Sequence, residues 1–253
     1  MAVPRDKYYQ AKIVERRDFS EDLWSIRVQY EGELKFVPGQ YATFGVEENG
    51  KVVERPYSIV SSPYEDTLEF YIELVPEGAL TPLLHKLPTG APLLMRKAAK
   101  GRFTLDTQSG HKKHYLVATV TGLAPYCSMV RTLLRDWKHG RFPEGFRLVV
   151  LQGASRSWEL GYREEMEGYA REAPWLDYVA TVSRPWEDKD WKGEVGRCED
   201  VIRKYSDQFD LTPADTTAYL CGHPEMIEKT KGILQRRGFL KESLKEEQYW
   251  VQK

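Results

Sequence analysis

Thr119-Val120-Thr121-Gly122-Leu123-Ala124-Pro125-Tyr126 reads as a buried strand that ends in a small-residue turn and opens a helix at Pro125. Cys221-Gly222-His223-Pro224-Glu225-Met226 repeats strand, turn and helix further along, with a thiol at the strand tip. Outward from these two runs, residues 115–120, 146–151, 178–183 and 218–221 are short apolar stretches of strand length. Helical stretches separate them. Met129, Val130, Leu133, Leu134 and Trp137 fall on one helical face, and residues 224–237 run from Pro224 in the first turn to Gly238 past the end. Strand alternating with helix predicts a parallel sheet with right-handed crossovers.

The first half has a different period. Leu68, Phe70, Ile72 and Leu74 alternate with Glu69, Tyr71 and Glu73, which predicts a strand with one buried face. Residues 7–17, 22–30, 40–46, 52–60 and 91–96 read the same way, punctuated by Gly32, Pro38-Gly39, Asn49-Gly50, Ser62-Pro63 and Thr89-Gly90. Asn49-Gly50 between two such runs is a hairpin signal. Short strands at this spacing predict a closed antiparallel β-barrel. The chain is therefore expected to hold two domains, residues 1–108 and 109–253, hinged near 107–113.

At 253 residues, 41% hydrophobic, the chain can fill two cores. Its 37 basic and 38 acidic residues give a net charge of -1, which offers no footing for nucleic acid or a membrane surface. Cys127, Cys198 and Cys221 lack metal spacing and leave an odd thiol, so a reducing cytoplasm is the expected setting. The missing cysteine quartet argues against a built-in iron–sulfur centre. Residues 1–18 are charged and do not read as a secretory signal, and no apolar run has the length of a membrane span.

Two groups of residues suit ligands. Arg55-Pro56-Tyr57-Ser58 places a cation, an aromatic face and a hydroxyl on one strand. An Arg fork suits a pyrophosphate, a Tyr ring a flat heterocycle, and a Ser hydroxyl a ring nitrogen. Core packing by Tyr57 and a carboxylate for Arg55 are the plainer alternative. The turn Gly78-Ala79-Leu80-Thr81 offers backbone N–H groups to an anion, or is an ordinary loop. In an open parallel sheet, ligands sit beyond the carboxyl ends of the strands, so Thr121-Gly122 and Cys221 are expected to flank one ligand. Ser155-Arg156 and Ser183-Arg184 follow two successive strands, and Arg197 lies beyond them. Three cations at one edge suit a phosphate monoester.

Pro38-Gly39-Gln40-Tyr41, residues 55–61, Gly78–Thr81, residues 121–126, Val182-Ser183-Arg184 and residues 221–226 occur in an order that resembles the bacterial branch of the ferredoxin/flavodoxin–NADP reductase family. The resemblance implies a barrel that holds FAD and a parallel α/β Rossmann-like domain that holds NADP. It implies that Tyr57 stacks on the isoalloxazine, with Ser58 near its N5. Arg55, Pro56 and the turn Gly78, Leu80, Thr81 would hold the FAD. Thr121 and Gly122 would border the NADP pyrophosphate and nicotinamide, with Cys221 beside its C4. Arg156, Ser183, Arg184 and Arg197 would grip the 2′-phosphate. Tyr249 would cover the far flavin face and Trp250 the FAD adenine. Ser58, Cys221 and Tyr249 are thus the residues expected nearest the chemistry.

The implied function is hydride exchange between NADP(H) and flavin, then single electrons to a ferredoxin or flavodoxin, by a monomer. An NADH-dependent flavin reductase or oxygenase reductase component is the alternative, and a non-catalytic flavin-binding subunit a second one. Arg96, Lys97, Lys100 and Arg102, followed by Lys112-Lys113, form the densest basic cluster for an acidic carrier. The chain departs from the family at Val120, where glycine is common. Either Val120 ends the strand and points into the core, or it crowds the nicotinamide pocket.

Overall fold

The computed structural model describes residues 5–249. They form two compact units, residues 5–104 with 127–132, and residues 105–126 with 133–249.

The first unit holds β1 (Tyr8–Asp18), β2 (Leu23–Tyr30), β3 (Tyr41–Glu48), β4 (Lys51–Ser58), β5 (Leu68–Glu73), the short helix α1 (Thr81–His85) and β6 (Pro92–Arg96). They build one antiparallel sheet in the order β4-β3-β6-β1-β2-β5. The β3–β4 hairpin closes at Asn49 and Gly50, with φ of 51° and 72°. Positive φ at both central residues is what a tight hairpin turn requires, and it is why Asn-Gly stands there. A single bridge, Ile59 to Phe70, links the chain just past β4 to β5. The buried face carries Trp24, Ile26, Phe44, Phe70, Ile72 and Met95, and Leu80, just before α1, and Leu84 within it add to this core. Phe44 and Phe70 meet at 4.5 Å.

Residues 127–132 join this unit through polar contacts. Ser128 donates to the Ser61 carbonyl at 2.7 Å. Arg131 donates to the buried Glu69 carboxylate at 2.6 Å, and Arg27 donates to the same carboxylate at 2.9 Å. Two guanidinium groups on one buried carboxylate meet the condition under which a buried charge is tolerated.

The second unit contains β7 (Lys113–Thr119), α2 (Ala124–Lys138, its 127–132 segment excepted), β8 (Arg147–Ala154), α3 (Arg163–Glu172), β9 (Leu176–Val182), β10 (Glu194–Val195), α4 (Cys198–Gln208), β11 (Thr216–Gly222), α5 (Pro224–Arg236) and β12 (Leu244–Gln248). The sheet is parallel throughout, in the order β10-β9-β8-β7-β11-β12. Two strands escape the sequence reading. β10 has two residues, and β12 (Leu-Lys-Glu-Glu-Gln) carries a single apolar residue. Both are edge strands, which short length and charge protect from further pairing. β8 also runs past the apolar stretch through Gln152. That amide is fully buried because it donates to the Gly161 carbonyl and its oxygen accepts from the Tyr178 hydroxyl at 2.6 Å. Among the described residues no helix is long and apolar enough to cross a membrane, and no acid, His or Cys cluster could hold a metal ion.

His114, on β7, is fully buried. Its Nδ1 lies 3.3 Å from the Tyr219 hydroxyl, its ring packs on Phe146 at 4.7 Å, and its Nε2 has no protein partner. Burial pushes its pKa down to about 4. Asp106 partly opposes the shift and His111 adds to it. A folded-state pKa below the unfolded one means that acid favours unfolding. The stability is complete above the unfolded pKa of roughly 6.5 and is lost as pH falls from there towards 4. We expect a loss of about 2 kcal/mol between pH 7 and pH 5 from this residue. Urea unfolding at both pH values, on the parent and on His114→Gln, measures it. The variant should lose most of the dependence in this window.

Candidate functional site

In the first unit the candidate residues lie at the end of edge strand β4. Arg55 and Pro56 are exposed, Tyr57 is half-buried and Ser58 is buried. Tyr57 stacks on Phe44 at 4.8 Å, so the core fixes its ring. Burial pushes the phenol pKa well up, and Arg55 opposes this only in part, so the ring stays neutral. Glu54 is committed to Arg96, whose Nε donates to it at 2.9 Å. That leaves Arg55, which donates to the Glu54 carbonyl at 2.8 Å, unneutralised by its neighbour in sequence. Tyr57 therefore does pack on the core, as the plainer reading has it, but it is not fully buried, and Arg55 is exposed. Cation, neutral ring and hydroxyl in this order fit a dinucleotide with a flat ring system.

The turn before α1 is more constrained than its sequence suggests. Thr81 donates from its hydroxyl to the Val75 carbonyl at 3.1 Å and accepts from the Val75 N–H at 3.0 Å. Gly78 donates to the same carbonyl at 2.8 Å. Leu80 is a core residue. Thr81 and Leu80 thus shape the turn, and only its backbone is offered outward.

In the second unit, β7 and β11 are neighbours, with Ala118 opposite Cys221. The turn after β7 folds down onto the tip of β11. A Cβ on Gly122 would lie 2.3 Å from the Cys221 carbonyl oxygen, so only glycine allows this approach. Thr119 accepts from the His223 N–H at 2.9 Å. Tyr126, in the first turn of α2, donates to the Tyr219 carbonyl at 2.8 Å and ties the helix start to β11. Tyr249 follows β12, donates its N–H to the Gly222 carbonyl at 3.2 Å, and has its hydroxyl 3.5 Å from the Thr121 carbonyl. Burial drives the Cys221 thiol pKa well up, with Glu247 adding to it and a hydrogen bond with Tyr249 opposing it. Cys221 is therefore a neutral thiol. Thr121, Gly122, Cys221 and Tyr249 form one group at the carboxyl ends of adjacent strands, with the Cys221 sulfur fully buried within it.

Val120 comes just past the end of β7 and packs its side chain inward, as the first expectation has it, but its backbone was not foreseen. It opens the 3-10 turn at φ 45°, in the left-handed region, with its side chain packed beside Ala154, Leu160 and Val182. A β-branched residue there carries strain.

The arginines divide. Arg156 donates to Glu159 at 3.0 Å and to Glu187 at 2.5 Å, and Glu187 lies 3.6 Å from Arg184. Ser183 and Arg184 extend the β8–β9 pairing, donating to the carbonyls of Ala154 and Ser155 at 3.0 and 2.9 Å. Arg156 and Arg184 thus share a carboxylate. Arg197 caps α4 and belongs to a different ion group, 3.9 Å from Glu199 and 3.8 Å from Glu225. Trp250 lies outside the described residues. The two Ser-Arg pairs belong to a longer repeat. Ser155-Arg156-Ser157-Trp158-Glu159 and Ser183-Arg184-Pro185-Trp186-Glu187 match at four of five positions, and both carboxylates belong to the arginine group.

Both units match known families at the level of the domain. Residues 10–105 match the oxidoreductase FAD-binding domain, and residues 116–232 the oxidoreductase NAD-binding domain. These define a flavin- and pyridine-nucleotide-linked oxidoreductase. The chain is 30% identical over 242 residues to ferredoxin–NADP reductase A of Sorangium cellulosum, covering 92% of this chain and 84% of that one. It is 28% identical to ferredoxin–NADP reductase of Pseudomonas aeruginosa, covering 91% and 90%. The same fold occurs in a ferredoxin NADP+ reductase from Neisseria gonorrhoeae solved with bound FAD and NADP, with a TM-score of 0.84, 22% identity, and coverage of 96% and 99%. The chain belongs to the ferredoxin/flavodoxin–NADP reductase family of FAD-dependent oxidoreductases.

The strain at Val120 is measurable. Relief of a positive-φ valine is worth about 1–3 kcal/mol and offsets the lost packing. Val120→Gly should leave unfolding stability within about 1 kcal/mol of the parent. Val179→Gly, on regular strand β9, should cost about 2 kcal/mol or more. Urea midpoints of the two variants check this, and equal losses would mean that Val120 is unstrained.

Proposed function

We propose that the first unit holds FAD and the second NADP(H), and that the enzyme passes electrons between NADP(H) and a ferredoxin or flavodoxin. FAD supplies the step no side chain can, accepting a two-electron hydride and releasing electrons singly. The observation that carries the reading is the meeting of Thr121-Gly122, Cys221 and Tyr249 at the ends of β7 and β11. Ligands of open parallel sheets are held in that place.

The side chains bind and orient. Tyr57 provides a neutral ring face, held by Phe44, for the isoalloxazine. Ser58 gives the hydrogen bond at its N5. Arg55 and Pro56, with the backbone of the turn through Gly78, Leu80 and Thr81, hold the rest of the FAD. Thr121 and Gly122 present backbone to the nicotinamide and pyrophosphate. Cys221, held neutral, packs beside the nicotinamide as a polarisable surface and not as a thiolate nucleophile. Tyr249 is the aromatic that yields when the nicotinamide enters, and Trp250 is assigned to the FAD adenine. Arg156, Ser183 and Arg184 read the 2′-phosphate, and Arg197 joins them when the ligand draws it from Glu199 and Glu225. For this the ligand must displace Glu187 from Arg156 and Arg184.

We divide the domains at 1–108 and 109–253. An Asp106 side chain that accepts from the N–H groups of Gln108 and Ser109 at 2.8 and 3.0 Å supports a turn at this point. The bridge between Ile59 and Phe70 supports closure of the first sheet into a barrel. A cytoplasmic setting suits three buried thiols outside any disulfide, and we take the enzyme to be a monomer. The proposed basic docking cluster is thinner than its sequence suggests. Arg96 is paired with Glu54, and Lys113 with Asp210 and Asp215, while Lys97, Lys100 and Arg102 are exposed.

Three measurements test this reading. The purified protein should carry the absorbance bands of bound flavin. In steady-state kinetics, Arg184→Ala should lower kcat/KM for NADPH about tenfold or more, since a charge-assisted bond contributes roughly 1.5–3 kcal/mol. The NADH value should stay near that of the parent. An equal loss with both nucleotides would mean that Arg184 does not read the 2′-phosphate. Electron transfer to an acidic carrier should also slow as ionic strength rises. A salt-independent rate would exclude docking by Lys97, Lys100 and Arg102.

A further inference from the structure

β7 ends at Thr119, and the turn that seats Gly122 on the Cys221 carbonyl begins at the next residue. Thr119 is extended, with φ of -113°, and Val120 takes φ 45°. The chain thus leaves the strand direction at Val120. Glycine adopts this conformation freely, whereas a β-branched residue resists it. A valine persists in such a place only where its surroundings hold it there.

Those surroundings are a small apolar cluster, distinct from the larger core that contains Val149, Leu151 and Leu220. Ala154, Leu160 and Val182 are buried in it, and Val120, Ala180 and Trp191 pack against them. Ala154 and Val182 are the last residues of β8 and β9 and pair with each other. The cluster is firmly built. Leu160 donates its N–H to the Ser157 carbonyl at 3.1 Å and accepts from the Arg163 N–H at 3.2 Å. Trp191 donates from Nε1 to the Glu194 carbonyl at 2.8 Å, and the Arg163 guanidinium lies 4.7 Å from the centre of its ring. The side chain of Val120 therefore seats the turn on the ends of β8 and β9, as Gly122 seats it on the end of β11.

We infer that Val120 is a positioning residue for hydride transfer, whose side chain, set among Ala154, Leu160 and Val182, fixes the turn at Thr121-Gly122 relative to the ends of β8 and β9. This rests on the proposed function, in which the turn borders the nicotinamide and the arginines beyond β8 and β9 hold the other end of the same molecule. A ligand held at two ends has its reacting ring placed only as well as the two supports are fixed to each other. Val120 acts through the backbone of Thr121 and Gly122, not by contact with the ligand. Glycine at this position relieves the backbone but leaves the turn without its seat on β8 and β9.

The test compares two readouts on the FAD-loaded protein. Stopped-flow reduction over a range of NADPH concentrations gives the limiting rate, and calorimetry gives the affinity for adenosine 2′,5′-bisphosphate. Val120→Gly should lower the limiting rate about tenfold, since a small misplacement at a reacting centre is costly. Its affinity for the bisphosphate should stay within about twofold of the parent's, because that probe does not reach the turn. Val120→Ile, branched and apolar, should keep the limiting rate within about threefold. Val120→Ala, which loses the seat but keeps a Cβ, should be slow as well, and it decides the matter if the glycine variant loses its flavin. A limiting rate at or above the parent's in the variants without the isopropyl group overturns the inference. So does a bisphosphate affinity that falls in step with the rate, which would make Val120 only a support for the arginines. Equal losses in Val120→Ile and Val120→Gly also overturn it. If NADPH does not reduce the flavin of the parent, the proposed function itself fails, and this inference with it.

Discussion

The structure depends on the close approach of one backbone turn to the tip of a neighbouring strand. Gly122 lies against the Cys221 carbonyl at a distance no Cβ could occupy. The contact exists because β7 and β11 pair in parallel and end together. It is fastened on three sides by Thr119 to His223, Tyr126 to Tyr219, and Tyr249 to Gly222. None of these is strong alone, since a net hydrogen bond contributes only about 1 kcal/mol. Together they hold a backbone turn, a neutral thiol and an aromatic ring in one place. The strain at Val120 is a local cost of that geometry, placed where functional sites tend to store it.

The first unit solves its half of the problem differently. There the site is an edge strand whose inner side is packed and whose outer side is polar. Phe44 fixes the Tyr57 ring, and Arg96 removes Glu54 from competition for Arg55. Burial and ion pairing thus do indirectly what a dedicated binding loop would do directly. The buried Glu69, held by Arg27 and Arg131, shows the same economy, since one carboxylate orders two cations on separate elements.

Much of this was legible in the sequence. Apolar runs marked the central strands of the second sheet, because strands buried on both faces must be apolar, and alternation between turn residues marked those of the first. Asn49-Gly50 gave its hairpin because few other pairs tolerate two positive φ values. The edge strands β10 and β12 were not legible, since edges are short or charged and lose the pattern that marks a strand. The grouping of Thr121, Gly122 and Cys221 could be read from strand ends alone. The carboxylates that occupy the arginines could not, because ion pairing between loops depends on register. The separation of Arg197 from Arg156 and Arg184 has the same cause. The doubled Ser-Arg-x-Trp-Glu was visible, but its meaning needed the matched ends of β8 and β9.

The central claim is that the seat of Gly122 on Cys221 sets the geometry for hydride transfer. Stopped-flow reduction of the bound flavin by NADPH in Gly122→Ala tests it most directly. An added methyl must push the turn away from the Cys221 carbonyl, and a shift of about an ångström at a reacting centre can cost on the order of a hundredfold in rate. The account predicts a folded protein that keeps its flavin absorbance and is reduced by NADPH at least about tenfold more slowly. Reduction at the parent rate, with flavin retained, would contradict it.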